Sequence, residues 1–130
     1  MLVRASACLL LLACACRPAA PKTPVETYLA FLNDLKAGDA SAAYTLLSAP
    51  TRAALQARVD AVNQASGATH KADPAGMIFQ TPPPPPSEVK LVQQTGDAAV
   101  LQVKEPQGDG QVRLVKEAAG WRIDLTSTLR

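Results

Sequence analysis

The sequence predicts an α+β domain, three N-terminal helices packed on a four-stranded antiparallel sheet, and three observations carry that reading. Between residues 25 and 62 apolar side chains recur at three- and four-residue spacing, the period of helices with one buried face. Between residues 89 and 125 they alternate with polar ones, the period of strands with one buried face. The five prolines at 82–86 separate the two stretches, a run that neither a helix interior nor a central strand accepts. Helices first and strands after argue for α+β rather than an alternating βαβ order.

Composition narrows the classes. A chain of 130 residues suits one domain and can bury roughly two thirds of its unfolded surface without disulfide staples. Its 48% hydrophobic content is inflated by Ala, and with only 4% aromatics the core must rest on Leu and Val. Thirteen basic and 11 acidic residues are near balance and unclustered, which gives no sign of nucleic-acid binding. Cys8, Cys14 and Cys16 all precede the body, so neither a disulfide framework nor a zinc site can be built within it. One histidine, His70, excludes an all-histidine metal site, and nothing points to a metal or a cofactor.

Met1-Leu2-Val3-Arg4 is a short n-region with one positive charge, and residues 5–13 are a compact apolar stretch with four leucines at 9–12. A bilayer span takes about 20 apolar residues. This run breaks at Arg17 and Pro18, so residues 1–13 read as a signal peptide rather than a retained span. Leu11-Leu12-Ala13-Cys14 has the order of a bacterial lipobox: an aliphatic residue, a tolerant position, a small residue, then the acceptor cysteine. On that reading Cys14 becomes the first mature residue and carries the lipid. Each buried methylene contributes about 0.8 kcal/mol, and one chain alone holds only marginally. A diacylglycerol plus a third chain on Cys14 anchors firmly. Residue 15 is Ala rather than the Asp of inner-membrane retention, which favours the outer membrane, facing the periplasm. Ala13-Cys14-Ala15 also fits the cleavage rule of an ordinary secretory signal, with the cut before Cys16. In that alternative the protein is secreted or soluble in the periplasm; on the lipobox reading Cys16 is the rival acceptor. Residues 14–22, with Pro18 and Pro21, form an extended tether.

Residues 23–130 form the folded domain. Thr23 suits an N-cap, Pro24 the first helical position, and Glu26 completes a capping box. Val25, Tyr28, Leu29, Leu32 and Leu35 make the apolar stripe of the first helix, which Gly38 ends. Asp39 caps a second helix whose buried face is Ala40, Ala43, Tyr44 and Leu47. Ser48 and Pro50 restart the chain, and Leu55, Val59 and Val62 line a third helix ending near Gly67. Met77-Ile78-Phe79 is expected as a short strand or plug. The polyproline segment, residues 81–87, spans on the order of 15 Å for its five prolines at about 3.1 Å per residue and reads as a stiff spacer. Four strands follow, with turns at Gly96-Asp97, at the longer stretch 106–110, and at Ala118-Ala119-Gly120.

The residues Tyr28-x-x-Phe31-Leu32-x-x-Leu35-x-x-Gly38-Asp39, then Ala43-Tyr44-x-x-Leu47, resemble the opening of nuclear transport factor 2-like domains. The closing stretch Gly120-Trp121-Arg122-Ile123-Asp124-Leu125 is similar to their last hairpin. The resemblance covers about residues 23–129 and implies a curved sheet around a cone-shaped pocket, as in small bacterial lipoproteins of this fold. The middle departs from the pattern, being short and proline-rich where such domains commonly carry further sheet.

Some relatives of that fold are isomerases and dehydratases, which need a carboxylate, His or Tyr held as a tuned base. Here Asp124 should face away from the side of Trp121, Ile123 and Leu125, while Asp34, Asp39 and Asp60 take polar helix positions or caps. His70 lies in an irregular stretch. No catalytic residue is assigned. Tyr28, Tyr44 and Trp121 are the candidate pocket-facing side chains. The leading expectation is a non-catalytic domain, anchored to a membrane through its lipid, that binds a small hydrophobic ligand or an envelope protein. An isomerase- or dehydratase-like enzyme and a structural component of an envelope assembly are the alternatives.

Overall fold

The computed structural model describes residues 20–67, 71–78 and 83–130. Residues 1–13, expected as a signal peptide, all three cysteines, His70 and Phe79 lie outside the described residues. The elements run α1 (Pro24–Ala37), α2 (Ala40–Thr45), α3 (Ala49–Ala65), α4 (Pro74–Ile78), then β1 (Glu88–Thr95), β2 (Ala98–Glu105), β3 (Gly108–Glu117) and β4 (Gly120–Asp124). The four strands form one antiparallel sheet in sequential order.

The helix boundaries follow the local chemistry. Thr23 Oγ1 accepts from the Glu26 N–H at 3.1 Å, and Glu26 Oε2 accepts from the backbone N–H groups of Thr23 and Lys22 at 3.3 and 2.7 Å. Gly38 then takes φ 75°, a left-handed conformation that costs a residue with a Cβ, and its N–H donates back to Leu35 O. Asp39 Oδ1 accepts from the Ala42 N–H at 3.0 Å to start α2. Ser48 Oγ accepts from the Thr51 N–H to start α3.

The core lies between α1 and the near face of the sheet. Phe31, Leu35, Ala43 and Leu47 meet Ala99, Leu101, Val103, Leu114, Trp121 and Ile123 there. Each fully buried large side chain contributes about 1.5–3 kcal/mol. Several expectations need correction. Leu29, placed in the core stripe, is 43% exposed, because Thr27 and Phe31 occupy the face that meets the sheet. Val62 is also exposed, whereas Leu55 and Val59 of the same helix are buried. Pro74–Ile78 is a short helix rather than a strand, its first turn tied by the Gly76 N–H to Asp73 Oδ2 at 3.2 Å. Leu91 pairs with Leu101 on the helix side of the sheet but is 44% exposed, because no helix reaches that far along β1. Val92 occupies a bulge between Leu91 and Gln93. The turns after β2 and β3 are two residues each, Pro106-Gln107 and Ala118-Ala119, with Gly108 and Gly120 already paired as strand residues.

One junction fastens the helices to the sheet. The link between α2 and α3 runs parallel to β4: Ile123 N–H donates to Leu46 O and Ser48 N–H to Ile123 O, both at 2.8 Å. Beside it, the fully buried Ser48 hydroxyl donates to Thr51 Oγ1 at 2.8 Å, and Thr51 Oγ1 accepts from the Leu125 N–H at 2.9 Å. The Thr51 hydroxyl in turn faces Asp124 Oδ1 at 3.4 Å, which also accepts from the Thr126 N–H and hydroxyl at 3.0 and 2.7 Å. Burial pushes the Asp124 carboxyl up. The Thr126 and Thr51 hydrogen bonds and the charge of Arg113 outweigh that and hold it below the ordinary aspartate range. Its ionised form therefore stabilises the fold above the ordinary aspartate pKa, and this contribution is lost as pH falls through the lowered value. Asp124→Asn should reduce the unfolding free energy at neutral pH by about 1–2 kcal/mol. The gap from wild type should close as the pH is lowered through the aspartate range, as read by urea titrations across pH. A gap that is constant with pH would show that the charge plays no part.

Candidate functional site

A groove runs along α1, between the helix and the segment that leads into β1. Val25, Leu29 and Leu32 stand four and three residues apart and form a second apolar stripe beside the one that meets the sheet. The opposite wall is the proline run, Pro83, Pro84, Pro85 and Pro86, leading into Ser87, Glu88 and Val89. The space between the walls is about 650 Å³, within the usual range of ligand pockets. Asn33 and Lys36 supply polar groups from α1.

Both walls are held from behind. On one side, the capping box and the left-handed Gly38 hold the two ends of α1, and Phe31 and Leu35 lock it onto the sheet. On the other side, Ser87 N–H and its hydroxyl both donate to Lys104 O, at 2.8 and 3.3 Å. Glu88 then bridges Lys90 at 2.6 Å and Lys104 at 3.0 Å. The prolines between have no N–H to satisfy and a fixed φ, so they present a stiff apolar surface.

Glu88 is the one acidic residue lining this groove. Its hydrogen bonds from Lys90 and Lys104 hold its carboxyl below the usual range, and Glu88 correspondingly raises Lys104. A carboxylate stabilised in that way is a poor proton acceptor. Among the described residues no group of three or more His, Cys, Asp or Glu is placed to hold a metal ion.

The sequence-selected side chains lie elsewhere. Tyr28 and Trp121 are 7% and 4% exposed and belong to the core. Tyr28 stacks on Phe31 with ring centroids 6.5 Å apart, and burial first, then the charge of Glu105, raises its hydroxyl pKa. Trp121 lies under Lys116, whose Nζ is 6.0 Å from the ring centroid. Tyr44 packs against the core and donates to Arg52 O at 3.4 Å. None of the three lines the groove. Asp124 is engaged in the α3–β4 junction, and the Asp34 carboxyl is raised by burial and by nearby Asp39. Cys14 and His70 fall outside the described residues. Sequence reasoning merged the two stripes of α1 into one. The missed signal was the width of its apolar arc: residues 24, 25, 28, 29, 31, 32 and 35 cover more of the helix than one contact with a sheet uses.

No protein-family model matches the chain, and neither a curated protein nor a solved structure is detectably similar to it. No described helix is long and apolar enough to cross a membrane.

The exposed stripe and the cap that orients it separate in stability measurements. Leu29→Asp should change the unfolding free energy by less than about 0.5 kcal/mol, as for an exposed side chain. Thr23→Ala, which dismantles the capping box, should cost about 1 kcal/mol. Urea titration distinguishes them; a loss of several kcal/mol in Leu29→Asp would place that side chain in the core instead.

Proposed function

We propose that the chain is a bacterial envelope lipoprotein, acylated on Cys14, whose nuclear transport factor 2-like domain is a non-catalytic binding module. The observation that carries the binding role is the apolar groove beside α1, lined by Val25, Leu29 and Leu32 on one side and by Pro83, Pro84, Pro85 and Pro86 on the other. The anchor is supported by Leu11-Leu12-Ala13-Cys14 following a short charged n-region, and the outer membrane by Ala15. The fold type is supported by the Gly38-Asp39 turn between α1 and α2 and by the helices preceding a sequential antiparallel sheet. The domain's groove lies between α1 and the proline segment that leads into β1. A small hydrophobic ligand suits that groove. An envelope protein is the second reading, favoured by Leu91 and Val92, which are 44% and 50% exposed on the edge strand β1.

Metabolic labelling with a fatty-acid analogue tests the anchor. The wild-type chain should take up label and partition with membranes, and Cys14→Ala should do neither. Label retained in Cys14→Ala would move the acceptor to Cys16. An unlabelled wild type would make the chain a secreted or periplasmic protein without a lipid.

A further inference from the structure

Resting on the lipoprotein reading, we infer that the groove between α1 and the proline wall binds a single-chain acyl lipid with an anionic head, drawn from the membrane to which the chain is tethered. The shape suits a linear apolar molecule. From Val25 to Lys36 the helix wall runs about 16 Å at 1.5 Å per residue, with Val25, Leu29 and Leu32 apolar on that wall and four prolines on the other. The position suits a membrane source. Ala20 and Pro21 lie in a shallower depression on α1 that shares Leu29 and Asn33 with the groove, so the chain enters the domain at the rim of the site. Five residues lie between Cys14 and Ala20, six Cα steps with a reach of at most about 21 Å when fully extended. An anchor on Cys14 therefore keeps the groove near the lipid surface, where acyl lipids are the ligands at high effective concentration.

Charge selects the head group. Glu88 is already engaged by Lys90 and Lys104, whereas Lys36 has no ion-pair partner among the described residues. Lys36 thus offers the rim an ammonium group for a carboxylate or phosphate oxygen. The stiff proline wall adds preorganisation, since little of it must be ordered on binding.

The test uses palmitate. In buffer, the full-length Cys14→Ala protein should bind a fluorescent palmitate analogue saturably. Leu29→Asp, or Asn33→Trp as a steric plug, should weaken binding at least about tenfold while thermal melts by circular dichroism stay unchanged. Lys36→Gln should weaken palmitate about threefold and leave the uncharged hexadecanol unaffected. For the lipidated wild type in nanodiscs, a photoactivatable palmitate should crosslink to α1 and to residues 83–89. Absence of saturable binding, or binding indifferent to both Leu29→Asp and Asn33→Trp, overturns the inference. Crosslinking in Cys14→Ala but not in the lipidated protein also overturns it, because the anchor's own acyl chain then fills the groove. Intact mass spectrometry of the wild type reports separately whether Cys14 carries lipid, so failure of the anchor reading is told apart from failure of the site.

Discussion

The pairing of the α2–α3 link with β4 is the constraint on which the rest of the structure depends. Two backbone hydrogen bonds join Leu46 and Ser48 to Ile123, and the side chains of Leu47 and Ile123 are fully buried at the same place. Ser48 does three things there: it continues the bridge, caps α3 and bonds Thr51. Glu117 adds a carboxylate at the start of α3, accepting from the Ala49 N–H at 2.8 Å and facing Arg52 at 3.9 Å. Because the Ser48 and Thr51 hydroxyls are buried together, losing one leaves the other unsatisfied at a cost well above one exposed hydrogen bond. The bridge also closes the outer edge of β4, which would otherwise present unpaired backbone groups.

That junction sets where α1 can lie. With α2 and α3 fixed to β4, α1 crosses the near face and inserts Phe31 and Leu35 into the core. The helix has a wider apolar arc than the sheet can cover, and its second stripe is left beside the proline wall. The groove is the space between two independently held walls. One is a capped helix seated on the core, and the other is a polyproline segment secured to β2 through Ser87 and Glu88. Rigid walls of this kind are suited to binding, because they lose little freedom when a ligand enters.

Much of this architecture is legible in the residues. Thr23, Pro24, Glu26, Gly38, Asp39 and Ser48 mark helix ends through local hydrogen bonds and backbone preferences, and all of them act where the sequence placed them. The alternation in β2 and β4 correctly assigns Ala99, Leu101, Val103, Trp121 and Ile123 to the buried face. Misreadings arise where burial depends on a distant segment. Leu29, Val62 and Leu91 obey the right period, but the element needed to cover each one lies elsewhere. The bulge at Val92 leaves no clear local mark. Tyr28, Tyr44 and Trp121 attract attention as aromatic groups with polar tips, yet close packing takes them into or against the core.

The sequence by itself determined the caps, the order of helices before strands and the meander, because each rests on short-range chemistry or on a simple period. Only the tertiary structure decided which of two apolar stripes on α1 meets the sheet. It also decided that the proline run stands opposite the other stripe, and that Asp124 serves a buried junction. Those outcomes depend on residues far apart in the chain competing for the same space, as when Thr51 meets Asp124 and Leu125 across more than seventy positions. No local pattern encodes which contact wins, and the groove is what remains once the core has been filled.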